Sequence, residues 1–105
     1  MLNKILDEIG INRRESRFLK PPEPPFIVWF DEVEARGADD ANLIYEHGVT
    51  LELYTENADK TPRESIERVL NKYGIVFNRT QKTWVESEGY YQEVFDFDYI
   101  EKREV

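Results

Sequence analysis

The chain has 105 residues, enough for one domain with a single modest core, and 40% hydrophobic with 13% aromatic content marks it as folded. Its 22 acidic against 14 basic residues give a net charge of −8, which argues against gripping a phosphate backbone or an anionic membrane through a cationic surface. No cysteine is present, which excludes disulfides, thiolate nucleophiles and cysteine-ligated zinc.

Taken in chain order, residues 2 to 9 predict a short helix with Leu2, Ile5, Leu6 and Ile9 on one face and Gly10 as its stop. Asp7 and Glu8 fall in the last turn, where negative charge opposes the helix dipole, so the helix depends on tertiary contact. This amino-terminal stretch is too charged for a secretory signal, and no apolar run reaches transmembrane length. Residues 11 to 20 carry Arg13, Arg14, Arg17 and Lys20, the one basic concentration in the sequence, and without periodicity they read as a loop or an irregular strand. Pro21-Pro22-Glu23-Pro24-Pro25 biases the backbone to extended conformations and sets the approach to a strand; its composition also suits a tract read by proline-binding domains.

Phe26 to Phe30 is apolar on both sides, as expected of a strand buried on both faces or placed between core and subunit contact. Residues 31 to 42 read as its fraying end followed by a connecting loop. A second strand begins at Leu43, with His47-Gly48 as a candidate bulge, and continues with Val49, Leu51 and Leu53 alternating against Thr50, Glu52 and Tyr54. Thr61-Pro62-Arg63-Glu64 is a capping box with proline in the first helical turn. Ile66, Val69, Leu70 and Tyr73 form the apolar face of the helix, and Gly74 stands where a left-handed cap belongs.

A third strand starts at Ile75 to Phe77, residues 78 to 82 turn the chain, Thr83 to Glu88 makes a fourth, and Gly89 breaks it. The fifth, Tyr90 to Ile100, places Tyr91, Phe95, Phe97 and Tyr99 on one face and Gln92, Asp96 and Asp98 on the other. Glu93 breaks that pattern and is assigned to a strand end; Glu101 to Val105 reads as a frayed tail. The expected fold is a single α+β domain over residues 1–105. It has a mainly antiparallel sheet of four to five strands and two helices packed on one face, in the order helix-strand-strand-helix-strand-strand-strand.

Little in this pattern carries catalysis. Glu86 with Glu88, and Asp96 with Asp98, each project from one side of a strand and could pair for acid–base or cation chemistry; on an outer sheet face they are equally explained as solvated charges. His47 is the one histidine and has no nucleophile motif beside it, and no glycine-rich phosphate loop occurs. No catalytic residue, cofactor or metal is assigned, and no enzymatic activity is expected. Trp29, Trp84, Tyr45, Tyr54, Tyr90 and Tyr91 exceed what one small core hides, which fits either a tyrosine-rich sheet surface or protein–protein contact. A binding or assembly protein is the class that follows.

Three segments, PPEPPFIVWF, LIYEHGVTLELYTENAD and KTWVESEGYYQEVFDFDY, resemble in order and spacing the small tail terminator proteins of phages and prophages of Gram-positive hosts, part of the head–tail joining and tail-completion group. The matching positions are Pro24 to Val28, Glu52-Leu53-Tyr54-Thr55, and Trp84 to Glu88 followed by Tyr91-Gln92. The resemblance implies a virion subunit, made in the bacterial cytoplasm, that assembles into a ring, usually a hexamer. The ring caps the tail tube and docks the head connector, without sequence-specific nucleic acid or membrane contacts. Interface candidates are the segments the core does not explain: Arg13, Arg14 and Arg17 in the basic stretch, and Arg36, Asp39, Asp40 and Asn42 in the polar loop, the basic segment of one subunit meeting the acidic loop of the next. The alternative is a small acidic inhibitor or immunity-type protein that covers a basic enzyme surface one-to-one.

Overall fold

The computed structural model describes residues 1–37, 42–57 and 59–104. Its elements are α1 (Leu2–Ile9), β1 (Asn12–Glu15), β2 (Phe26–Gly37), β3 (Asn42–Thr55), α2 (Thr61–Lys72), β4 (Phe77–Arg79), β5 (Thr83–Val85) and β6 (Tyr90–Glu104). They form one α+β unit with a six-stranded sheet in the order β1-β2-β3-β6-β4; β5 pairs with β6 beyond the end of β4, on the same edge. All pairings are antiparallel except β1 with β2.

The sheet has one covered face. Ile27, Val49, Leu51, Leu53, Phe95 and Phe97 share it by strand parity, and they meet Leu2, Ile5, Leu6 and Ile9 of α1 and Ile66, Val69 and Leu70 of α2 in a single core. The helical periodicities therefore point where they were expected to point. Gly10, at φ 75°, donates its N–H to the Leu6 carbonyl and ends α1. Gly74, at φ 69°, donates to the Asn71 carbonyl while Ile75 donates to that of Leu70, the pair of bonds that defines a Schellman cap; a residue with a Cβ is strained there. The unfavourable charges at the end of α1 are neutralised by neighbours: Asp7 accepts from Arg13 at 2.7 Å, and Glu8 accepts from Lys72 and Tyr73.

Of loop or irregular strand, the basic stretch contains the strand, β1, too short and polar (Asn-Arg-Arg-Glu) to show a period. It makes six strands where four to five were expected and changes the order to helix-strand-strand-strand-helix-strand-strand-strand. Four local expectations are also corrected. Thr61 does not cap α2 with its side chain; instead Asp59 Oδ1 accepts from the Thr61 N–H at 3.0 Å and its hydroxyl at 2.8 Å, because the helix already begins at Thr61. These bonds, backbone first, hold the Asp59 carboxyl below its ordinary value. No bulge occurs at His47-Gly48: both ladders of β3 run through those residues without a skipped partner. The third strand starts at Phe77, since Ile75 is drawn into the core and Val76 is left 90% exposed. Finally, β2 runs on to Gly37 and β6 to Glu104, because β3 gives both a partner where no core does.

On the opposite sheet face, Phe18 reaches over the end of β2 and meets Phe26 edge-on at 5.4 Å; Phe26 in turn stacks on Tyr54 and abuts Tyr90. Two of the six excess aromatics, Tyr54 and Tyr90, are spent in this second cluster, beside the chain that links β1 to β2 through the cis Pro24-Pro25 bond; Trp29 packs against the main core, and Trp84 meets Tyr91 edge-on.

Leu70 is fully buried, so Leu70→Ala is expected to lower unfolding free energy by about 2–5 kcal/mol in a urea titration. The Glu8 carboxyl is held below its ordinary value of 4.5, chiefly by the Lys72 hydrogen bond and then by that of Tyr73. A depressed carboxyl stabilises the fold above its unfolded value and loses that contribution as pH falls through the folded one. Thermal midpoints should therefore drop more steeply below pH 4.5 in the natural protein than in Glu8→Gln.

Candidate functional site

His47 sits on the covered face, in line with Val49, Leu51 and Leu53, and is only 8% exposed. Its Nδ1 lies 2.8 Å and 3.1 Å from the Asp31 carboxylate oxygens, and its Nε2 lies 3.0 Å from Glu101 Oε1. The ring stacks on Tyr99 at 4.2 Å, nearly parallel. Asp31 belongs to β2 and Glu101 to β6, so one imidazole ties three adjacent strands together. The doubly protonated ring can donate to both carboxylates, whereas a neutral ring can donate to only one. Burial, followed by the charges of Asp31 and Glu101, raises the Tyr99 hydroxyl above its ordinary value and keeps it neutral.

This arrangement is a clamp. A general base needs one ring nitrogen open to a substrate, and here both face carboxylates. The carboxylates approach opposite nitrogens, so they do not converge on a common cation; among the described residues no group of three His, Asp or Glu is placed to hold a metal.

A second polar cluster lies on the same face. Glu93, 1% exposed, shares the parity of Phe95 and Phe97 and is not near a strand end; three cations surround it. Arg79 Nη1 reaches its Oε2 at 3.3 Å, Arg63 Nη1 the same oxygen at 3.6 Å, and Lys82 Nζ approaches Oε1 at 3.7 Å. Glu67 holds both arginines from α2, at 4.0 Å and 3.5 Å. The three cations offset the buried charge and fix α2 to the β4–β6 edge, while Oε1 accepts no hydrogen bond among the described residues.

The residues named from sequence do not form one site. Arg13 is committed to Asp7, while Arg14 and Arg17 are exposed at the β1 end of the sheet. Arg36 lies near the far end of β2 and pairs with Glu46 at 2.8 Å. Asn42 opens β3, and Asp39 and Asp40 lie outside the described residues. Glu86 and Glu88 fall in the turn between β5 and β6 rather than on a strand, and Glu86 accepts from the Trp84 indole at 2.9 Å. Asp96 and Asp98 do share the uncovered face, where Asp96 accepts from Thr50.

Part of β2, β3 and β6 runs past the core. Among the described residues, no strand pairs with the outer side of β2 from Phe30 to Gly37, since β1 pairs only as far as Trp29. Among the same residues, no strand pairs with the outer side of β6 beyond Phe97, where β4 stops. Val33 on β2 and Ile100 on β6 stand 50% and 59% exposed on this three-stranded arm, and Glu32, Glu34, Glu46 and Asp98 line the groove around Gly48 on its uncovered side. The His47 clamp sits at the base of the arm.

Sequence reasoning missed both polar clusters. The signal was parity: His47 and Glu93 each occupy a core-facing position in an otherwise apolar series.

The chain matches no protein-family model, and no curated protein is significantly similar to it in sequence.

If His47 is a clamp, His47→Phe retains a ring against Tyr99 but leaves Asp31 without its donor, and should lower unfolding free energy by about 1–3 kcal/mol in denaturant titration. An unchanged midpoint would remove the clamp from the account.

Proposed function

We propose that the chain is a structural assembly protein of a phage tail, a terminator that closes the end of the tail tube as a ring and joins it to the head. The observation that carries an assembly role is the arm. Strand edges unpaired among the described residues, with exposed Val33 and Ile100, offer backbone and apolar contacts to neighbouring chains rather than enclosing a substrate. The resemblance of the three segments around Pro24, Glu52 and Trp84 supplies the tail-specific part of the reading. Ring contacts are assigned to Arg14 and Arg17 at one end of β2 and to Arg36 and Asn42 at the other, roughly 23 Å away by the rise of an extended strand. Two different surfaces this far apart suit a head-to-tail contact, which closes into a ring when its rotation is right.

A second reading draws support from the uncovered face, where Glu32, Glu34, Glu46, Asp96 and Asp98 cluster with few cations. It is an acidic inhibitor that covers a basic enzyme surface one-to-one. The two readings part on genetics and on tail morphology. Deleting the gene from its prophage should give tubes of uncontrolled length and unjoined heads in electron micrographs. Normal tails in the deletion strain, together with an adjacent toxin or nuclease gene, would favour the inhibitor.

A further inference from the structure

We infer that the cleft between the β1–β2 connection and the β5–β6 turn is a binding site for an arginine side chain presented by a partner polypeptide. The cleft has a volume of about 370 Å³ and lies over the uncovered face of the sheet. Strand parity supplies its floor: Phe26 lies beside Tyr54 and Val28 beside Glu52, all four on that face. Phe18 from the connection and Tyr90 from the start of β6 line it on either side. Each of these rings meets Phe26 edge-on, at 5.4 Å and 5.6 Å, and among the described residues the two make no ring contact with each other. The space between them is a slot with aromatic walls.

Both walls are fixed before anything binds. The Ser16 N–H donates to the Trp29 carbonyl at 2.9 Å and the Arg17 N–H to that of Glu15 at 2.7 Å, while the N–H groups of Glu88 and Gly89 both donate to the Val85 carbonyl. A cleft already shaped when empty loses little entropy on being filled.

The polar lining decides the ligand. It consists chiefly of two carboxylates, Glu52 on the floor and Glu88 on the turn, and one cation, Arg17. Glu52 Oε1 accepts from the Tyr54 hydroxyl at 3.0 Å, and that hydroxyl accepts from Gln92 Nε2 at 2.9 Å. Among the described residues Glu52 has no ion pair and the Glu88 side chain has neither ion pair nor hydrogen bond, so Arg17 neutralises neither. Burial raises the Tyr54 hydroxyl above its ordinary value; the Gln92 hydrogen bond opposes this, and the charges of Glu52 and Glu88 add to it, so both carboxylates bear on one hydroxyl. An apolar ligand would cover Glu52 without replacing its lost hydration, and an anion would meet two like charges. A lysine ammonium answers the charge at a single point. An arginine guanidinium is flat enough to lie against the rings and forks onto a carboxylate through two parallel N–H donors, so it uses the walls and Glu52 together.

The site does not rest on the tail reading and is measured on the isolated protein. Titration with an acetylated and amidated glycine–arginine–glycine tripeptide should move the ring resonances of Phe18, Tyr54 and Tyr90 along one saturable curve in NMR spectra, with a Kd on the order of 1 mM. The same tripeptide with lysine at its centre should bind about five-fold more weakly. Glu52→Gln keeps an acceptor for Tyr54 and should weaken arginine binding about ten-fold. Tyr90→Leu should weaken it about five-fold, with Phe18→Leu testing the other wall if that variant fails to fold. Arg17→Gln removes a competing cation and should strengthen binding about two-fold. Glu64→Gln, an exposed carboxylate on α2, changes the net charge as Glu52→Gln does and should leave binding unchanged. The inference is overturned by the lack of a saturable shift, by equal binding of the lysine peptide, or by a loss in Glu64→Gln as large as that in Glu52→Gln. Tighter binding of free L-arginine than of the capped peptide, or weaker binding in Arg17→Gln, would give the cleft to a small zwitterion instead of a polypeptide. Self-association that the peptide reverses in sedimentation equilibrium would give it to a second copy, and either result also overturns the inference. None of these outcomes involves tail tubes, so the arginine site and the terminator role can fail separately.

Discussion

The fold depends on β3 being paired on both edges along all but its two end residues. From Asn42 to Thr55 every residue has a β6 partner, and from Leu43 to Tyr54 every residue also has a β2 partner. The lower half of β3 contributes Val49, Leu51 and Leu53 to the core under α1 and α2. The upper half adds no residue to that apolar core, yet the ladders continue through it and carry β2 and β6 along. Core burial thus fixes the register at one end, and register then propagates structure into a region with little hydrophobic reward of its own.

That division explains what could be read from the residues. Where apolar side chains face a core, periodicity is visible: Leu2 to Ile9, Val49 to Leu53, Ile66 to Tyr73, and the odd positions from Phe95 to Tyr99 all pointed correctly. The Gly10 and Gly74 caps were legible for the same local reason. The arm was not legible, because the alternation of Val33 and Ala35 with Glu32, Glu34 and Arg36 is short and faces solvent rather than a core, and Glu101-Lys102 is wholly polar. The length of such a strand is set by its neighbour's ladder. That Lys60 rather than Thr61 stands at the cap of α2, with Asp59 accepting from Thr61, is a smaller failure, a shift in where the first turn begins.

Both polar clusters were hidden for a different reason. Glu93 and His47 occupy core-facing positions, and the groups that make them tolerable come from distant parts of the chain: Arg63, Arg79 and Lys82 for one, Asp31 and Glu101 for the other. Burying either without its partners is costly, so each cluster ties together elements that have few apolar contacts to do so. The Glu93 cluster joins α2 to the short edge strands. The His47 clamp joins β2, β3 and β6 where the arm leaves the core, and a stiffened arm is what an assembly surface requires, since ordering a floppy one on contact would weaken the association.

The central claim, that the arm is an ordered extension of the sheet held through β3, is tested most directly by residue-resolved amide hydrogen exchange on the dilute protein. The account predicts alternation along the end of β6: the Tyr99, Glu101 and Arg103 amides face β3 and exchange slowly, while those of Ile100 and Lys102 face the open edge and exchange fast. Uniformly fast exchange from Tyr99 to Arg103, with the facing amides of Leu43 to His47 equally unprotected, would contradict it.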